Sequence, residues 1–178
     1  FSDVLRPEAA ETLAAFVQAG IRIKIISGDN PATVVALARQ AGVPGDLTAV
    51  SGIELADMDE VQFDEAAETA TVFGRIRPDQ KEQLVECLRK RGYYVAMIGD
   101  GVNDVLSLKK ANVGIAMESG SGATRSVADM VLLNDSFAAL PHAFLEGQRI
   151  TSGMRDILRL YLTRALQIVL IIIAVSVV

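Results

Sequence analysis

Cysteine is nearly absent from this chain of 178 residues, which contains Cys87 alone. A single cysteine cannot form an internal disulfide and cannot supply a metal cluster. Domains that depend on disulfides belong to oxidising compartments, so this scarcity fits a reducing one. The fold must therefore rest on a hydrophobic core, and a chain of this length is long enough to bury one of ordinary size.

Acidic residues outnumber basic ones outside the C-terminal end. Residues 149–178 contain four arginines and one aspartate, a charge of +3, and the whole chain carries −5, which leaves −8 on residues 1–148. Because nucleic acids bind to basic surfaces, this acidic excess argues against a nucleic-acid partner.

Apolar residues make up 51% of the chain and are concentrated at its C-terminal end. Among the last 22 residues, only Arg159, Arg164 and Gln167 are strongly polar. A helix of that length spans roughly 30 Å, the thickness of a bilayer core. Arginines precede the apolar run, so the positive-inside rule indicates that the preceding domain is cytoplasmic. We predict a cytoplasmic domain over 1–148, then a juxtamembrane linker and a truncated transmembrane helix over 149–178.

Strand and helix signals alternate along the predicted cytoplasmic domain. Strands are predicted at 21–27, 70–77, 93–99, 113–117 and 130–133, and helices at 7–20, 31–42, 57–68, 78–92 and 102–111. Residues 44–60 read as a loop with a short possible strand near residue 49. This β-α-β-α order predicts a mostly parallel sheet with helices on both faces. Ligands bind such sheets beyond the carboxyl ends of the strands.

The string GDGVND follows the predicted strand at 93–99 and crowds two carboxylates into one turn. Asp100 and Asp104 are four residues apart, so both can converge on one point, where they repel unless a proton or cation lies between them. Such oxygen ligands suit Mg²⁺, which takes one or two carboxylates plus substrate phosphate. Asn103 can donate a hydrogen bond to an oxyanion. The alternative is a turn in which Asp and Asn cap the following helix.

Two other strand ends carry polar residues. Ser27, within the string SGDN, offers a hydroxyl next to the free amides of a helix start, which is a natural phosphate cradle. Lys81, in the first turn of a later helix, has the reach to point back at the same strand ends. Taken singly, an ordinary helix cap is the favoured explanation for Ser27, and a lone lysine in such a helix is usually solvated.

Together, a hydroxyl, a lysine and a paired-aspartate turn in this order resemble the late part of a haloacid dehalogenase-like phosphotransferase site. Individual strings of the sequence resemble one family within this superfamily, the P-type ATPases, in their phosphorylation domain. The strings are GDGVNDVLSLKKANVGIAM, SVADMVLL, FGRIRPDQK and the hinge-like SDVLRPE. The string EGQRITSGMRDIL resembles that family's run into its fifth membrane helix. This resemblance implies a haloacid dehalogenase-like, Rossmann-like α/β fold.

The resemblance also implies a role for each matching residue. Asp100 and Asp104 would form a Mg²⁺ site that Asn103 helps to organise, and Lys81 would neutralise the transferred phosphoryl group. The remaining implied residues are the phosphate-binding Ser27, Gly28 and Asp29, and the hinge residues Asp3 and Arg6. The implied protein is an ATP-driven cation transporter with ATP as substrate and an aspartyl-phosphate intermediate. Its partners are ATP, an unidentified cation, the lipid bilayer and the N-terminal remainder of the same protein.

The family's nucleophile string, D-K-T-G-T, does not occur in the chain. In the family it precedes the nucleotide-binding domain, and its strand lies between those ending at Ser27 and Gly99. We therefore interpret the chain, which begins at Phe1, as a piece of a longer protein. We expect it to be inactive by itself because it lacks the nucleophile. We also expect it to be marginally stable, because two inner strand edges are unpaired. A soluble haloacid dehalogenase-like phosphatase and a non-catalytic remnant are the alternatives.

Overall fold

The structure is a computed structural model that describes residues 9–177. The predicted hinge residues Asp3 and Arg6 lie outside the described residues. Packing divides the chain into two units, with the boundary between Ala138 and Ala139. Each unit is described by itself.

The first unit begins with a three-stranded parallel sheet and its helices. In chain order the elements are α1 (Ala9–Gln18), β1 (Ile25–Ile26), α2 (Pro31–Gln40), β2 (Ala49–Ser51), α3 (Gly52–Asp57), α4 (Glu60–Thr69) and β3 (Val72–Gly74). The strand order is β1-β3-β2, with Val72 opposite both Ile25 and Ala49. The third strand of the chain is thus the central strand of this sheet.

A second three-stranded parallel sheet follows within the same unit. Its elements are α5 (Pro78–Lys90), β4 (Ala96–Gly99), a 3-10 turn (Val102–Asp104), α6 (Val105–Lys110), β5 (Val113–Met117), α7 (Gly122–Val127), β6 (Met130–Leu132) and a second 3-10 turn (Leu133–Asp135). The strand order is β4-β5-β6, with Ile98 opposite Ile115. The predicted class, parallel α/β with helices, is confirmed.

The core of the first sheet lies on both faces of β3, because neighbouring side chains of a strand point to opposite faces. Phe73 packs in a cluster with residues of α4 and α5, among them Ala67 and Leu84. Val72 packs in the other cluster, with Val34 of α2. A strand covered on both faces reads as a continuous apolar run, as this one does.

Four strands pair on one side only among the described residues. These are the end strands of the two sheets, β1 and β2 in the first and β4 and β6 in the second. The apolar run predicted as a strand over 21–27 contributes only Ile25 and Ile26 to the ladder. The resemblance to P-type ATPases implies a nucleophile strand between two of them, β1 and β4.

The prediction of a loop over 44–60 is wrong for α3. The side chains of Ser51 and Glu54 form a reciprocal capping box, in which each accepts a hydrogen bond from the other's backbone N–H, at 3.2 and 2.7 Å. The bond from the Ser51 N–H lowers the pKa of the Glu54 carboxyl. The S-x-x-E spacing was a usable signal, and the helix of 6 residues that it starts occupies about a third of the expected loop.

The second unit is one long helix, α8 (Ala139–Val177). Its residues 139–176 form a helix that is long enough and apolar enough to cross a membrane. The mean hydropathy of its most apolar stretch of 18 residues is 1.9. Within this helix Asp156 and Arg159 form an exposed pair at 3.9 Å. The predicted domain boundary at residue 148 stays a prediction.

Lys24 precedes β1 and is a half-buried cation that sequence reasoning did not single out. Its ammonium group donates to the carbonyl oxygens of Glu68 and Ala70, at 2.8 and 2.7 Å, where α4 ends. It also lies 5.8 Å from the centre of the Phe73 ring. Burial, followed by the charge of Arg22, lowers the pKa of Lys24 from 10.5 to about 8.

This shift predicts a pH dependence of stability. Between pH 8 and 10.5 the unfolded chain holds a proton that folded Lys24 has released, so the free energy of unfolding rises with pH across that window. We expect the stability of the unsubstituted chain, relative to Lys24→Met, to increase over this range in denaturant titrations. Exposed Lys90, substituted by Met, serves as the control and is expected to leave the slope unchanged. Parallel pH profiles for Lys24→Met and the unsubstituted chain would contradict the prediction.

Candidate active site

The loop that follows β1 is a small network of polar groups. The Ser27 hydroxyl donates to Oδ2 of Asp29 at 3.0 Å and accepts from the Asp29 N–H at 3.1 Å. The Asn30 side chain caps α2 by accepting from the Ala32 N–H at 2.9 Å. Over residues 9–177 the N–H groups of Gly28 and Asn30 have no hydrogen-bond partner. The loop therefore keeps two backbone donors at a helix start, where anions bind readily.

The segment between β3 and α5 is bonded to this loop through the backbone. Arg75 has a φ of 51°, an uncommon value for a residue other than glycine. Its N–H donates to the Asp29 carbonyl at 2.7 Å, and the Ile76 N–H donates to the Ser27 carbonyl at 3.0 Å. The start of α5 is thus held against the Ser27 loop, although 48 residues separate Ser27 from Arg75.

Lys81, in α5, forms an ion pair with Asp104 in the turn after β4. The distance between Lys81 Nζ and Asp104 Oδ1 is 2.7 Å, and the side chains are only 15% and 8% exposed. The second carboxylate oxygen, Oδ2, accepts from the Gly101 N–H at 3.2 Å. A Cβ atom on Gly99 would lie 2.6 Å from Cβ of Asp104, so this close approach requires glycine. The sequence strings FGRIRPDQK and GDGVND therefore meet in one contact.

Asp100 has a different environment from Asp104. Its side chain is exposed, and among the residues that the structure describes its carboxylate has no hydrogen-bond or ion-pair partner. Its carbonyl oxygen accepts from the Ser121 N–H at 2.8 Å and from the Thr124 hydroxyl at 3.4 Å. Ser121 and the fully buried Thr124 thus hold the backbone of Asp100, a role that sequence reasoning missed. Their spacing, typical of a helix start, was the available signal.

The carboxylates of Asp100 and Asp104 suit a magnesium ion that keeps several water ligands, rather than a metal ion bound entirely by protein side chains. No group of three or more His, Cys, Asp or Glu side chains suited to a metal lies within residues 9–177. Asp100 offers a free carboxylate, whereas both oxygens of Asp104 already accept hydrogen bonds, from Lys81 and Gly101. Mg²⁺ is usually bound by one or two carboxylates and completes its shell with water and substrate phosphate.

Cys87 has no part in this site. Its thiol is buried and donates to Oδ1 of Asp64 at 2.9 Å. Burial, followed by this hydrogen bond to a carboxylate, raises the pKa of the thiol to about 12. A thiol that remains protonated at neutral pH is a poor nucleophile.

A parallel α/β fold with polar strand-end loops, a lysine–aspartate pair and a free carboxylate defines the class of the protein. The chain belongs to the haloacid dehalogenase-like hydrolase family, whose model matches residues 2–112. Two curated relatives and one solved structure narrow this assignment.

The chain is 43% identical to the calcium-transporting ATPase CtpE of Mycolicibacterium smegmatis over 173 residues, which is 97% of this chain and 22% of that protein. It is also 43% identical to the cation-transporting ATPase pma1 of Synechocystis sp. over 156 residues, 86% of this chain and 17% of that protein. It thus spans about a fifth of the length of these relatives. The resemblance to P-type cation-transporting ATPases is confirmed.

Among solved structures, the chain is similar to the catalytic domain of the CPx-ATPase CopB-B. The TM-score is 0.61 and the identity is 27%, over 80% of this chain and 46% of that one. The haloacid dehalogenase-like fold is therefore supported by both sequence and shape.

The buried ion pair predicts a double-mutant cycle. Lys81→Met leaves the Asp104 charge buried without its cation, so we expect a loss of about 3 kcal/mol of stability. In an Asp104→Asn background the same change is expected to cost clearly less, because no unpaired charge remains. Chemical unfolding in detergent measures both values.

Lys90→Met is the matched control for this cycle, because its exposed pair with Glu86 is worth less than about 1 kcal/mol. Additive effects of the Lys81 and Asp104 substitutions would show that the two side chains do not interact in solution.

Proposed function

We propose that the chain is part of an ATP-driven membrane cation transporter that forms an aspartyl-phosphate. The observation that carries the proposal is the Lys81–Asp104 pair, 2.7 Å apart beside the free Asp100 carboxylate, in a chain whose curated relatives are cation-transporting ATPases. Phosphoryl transfer needs positioning and charge neutralisation more than covalent chemistry from the protein. A lysine and a carboxylate that binds a metal supply both.

Each side chain has a role in the proposed reaction. The Ser27 hydroxyl and the N–H groups of Gly28 and Asn30 would bind phosphoryl oxygens, with Asp29 positioning the hydroxyl. Lys81 would offset the charge that develops on the transferred group, and Asp104 would orient Lys81. The Asn103 side chain, which is exposed, would donate to a phosphate oxygen. Fixed donors of this kind act most strongly where charge develops.

Asp100 and Asp104 are the residues that would hold Mg²⁺. When bound, the ion would neutralise phosphate charge during transfer. The nucleophile would be an aspartate carried by another segment of the same protein. Its oxygen would attack the γ-phosphorus of ATP while the bond to the bridging oxygen breaks and ADP leaves with the electron pair. Water would then attack the same phosphorus, the bond from phosphorus to the aspartate oxygen would break with its electron pair returning to the carboxylate, and inorganic phosphate would leave.

In this proposal the apolar part of α8 that follows Asp156 would cross the bilayer, and residues 1–148 would be cytoplasmic. The length and composition of α8 support the first part, and the arginines before its apolar run support the second. The helix has no acidic residue after Asp156. The transported cation would be identified by testing which ion stimulates phosphorylation.

The proposal predicts that phosphorylation requires Lys81 and also an acceptor aspartate that lies outside the 178 residues of this chain. The 178-residue chain, incubated with radiolabelled ATP and Mg²⁺, is expected to form no phosphoenzyme, because it has no acceptor string D-K-T-G-T. In a full-length transporter carrying the chain, Lys81→Met is expected to slow phosphoenzyme formation by at least ~100-fold. Lys90→Met is the control and is expected to retain the normal rate.

Sequencing the reading frame upstream of Phe1 distinguishes the proposed transporter from a non-catalytic remnant. A D-K-T-G-T segment there supports the proposal. A start codon immediately before Phe1 would refute it in favour of a non-catalytic remnant.

A further inference from the structure

Gln80 is a buried polar residue in the first turn of α5, next to Lys81 in sequence. It is only 2% exposed. Its Oε1 accepts from the Arg77 N–H at 3.1 Å, and its Nε2 donates to the Gly52 carbonyl at 2.7 Å. A buried amide is costly unless it is hydrogen-bonded, and here both ends of the side chain are bonded.

Helix capping accounts for only half of this arrangement. A residue at the third helical position caps by accepting from the N-cap N–H, and an exposed Glu does this as well as Gln. Glu54 and Gln62 make the same bond at the starts of α3 and α4 without being buried. The donor bond from Gln80 to Gly52 is additional, and it joins residues that are 28 apart in the chain.

Gly52 brings a third segment into the same contact. A Cβ atom at Gly52 would overlap the Arg75 carbonyl oxygen and would lie 2.7 Å from Oε1 of Gln80. Arg75 in turn donates to the Asp29 carbonyl at 2.7 Å. Gln80 therefore ties the start of α5 to the β2–α3 junction, at the point where the connector after β3 contacts the Ser27 loop.

We infer that Gln80 is a positioning residue that fixes the first turn of α5 so that Lys81 reaches Asp104. Neighbouring helical residues point about 100° apart, so a turn locked through Gln80 also sets the direction of Lys81. A site residue has to be held within roughly 0.5 Å and 10–20° of its working geometry. The polar contacts between α5 and α6 lie farther along α5 and are more exposed. Lys110 pairs with Glu82 and Glu86, and its carbonyl accepts from Arg89 at 2.6 Å.

The direct test measures the reactivity of Lys81 in the 178-residue chain in detergent. Lysine amines are methylated reductively, and the label on each lysine is quantified by peptide mass spectrometry. Gln80→Met is expected to raise the labelling of Lys81 relative to Lys110 about fivefold or more, the scale of one lost hydrogen bond. Asp104→Asn releases Lys81 directly and sets the upper limit.

Gln83→Met is the matched control, since Gln83 lies in the same helix and is exposed. It is expected to leave the labelling ratio unchanged. Gln80→Glu keeps the capping acceptor and replaces the donor to Gly52 by a carboxylate oxygen that repels the Gly52 carbonyl, so it tests the same bond if Gln80→Met does not fold. An unchanged ratio in the folded variant, or an equal rise at all lysines, would overturn the inference.

The catalytic consequence rests on the proposed function. In a full-length transporter, Gln80→Met is expected to slow phosphoenzyme formation at saturating ATP about tenfold or more, with little change in the ATP concentration for half-maximal rate. If the unsubstituted transporter forms no phosphoenzyme, the proposed function fails, while the labelling ratio still decides whether Gln80 positions Lys81.

Discussion

The ion pair between Lys81 and Asp104 is the contact on which the site depends. Lys81 follows β3, the central strand of the first sheet, and Asp104 follows β4, an end strand of the second. Their 2.7 Å contact therefore joins the polar ends of two separate sheets. Because both side chains are largely buried, neither charge is tolerated without the other. The packing of this part of the chain consequently relies on these two side chains together.

The two aspartates of GDGVND have different environments although they are four residues apart. Asp104 is buried and its oxygens accept from Lys81 and Gly101, so it organises the turn. Asp100 is exposed, and within the described part of the chain its hydrogen bonds are made through its backbone carbonyl, to Ser121 and Thr124. Among the described residues the Asp100 carboxylate therefore has no partner, whereas each oxygen of Asp104 accepts a hydrogen bond.

Much of the fold and part of the site were predictable from local patterns. Pro31 and Pro78 mark the helix starts after two strands, and the apolar run Val113–Met117 is a strand as expected. The string GDGVND was correctly placed at a strand end. The helix α3 was missed although its capping pattern was present, because a six-residue helix is too short for apolar periodicity to show.

The sequence by itself determined the class of the protein: the alternation of strands and helices, the polar strand ends, the acidic domain and the apolar C-terminal helix. These features depend on local propensity and composition. Only the tertiary structure decided which carboxylate pairs with Lys81, that Ser121 and Thr124 hold Asp100, and that Gln80 bonds to Gly52. Contacts between residues far apart in the chain depend on how elements pack, and no local pattern encodes that packing.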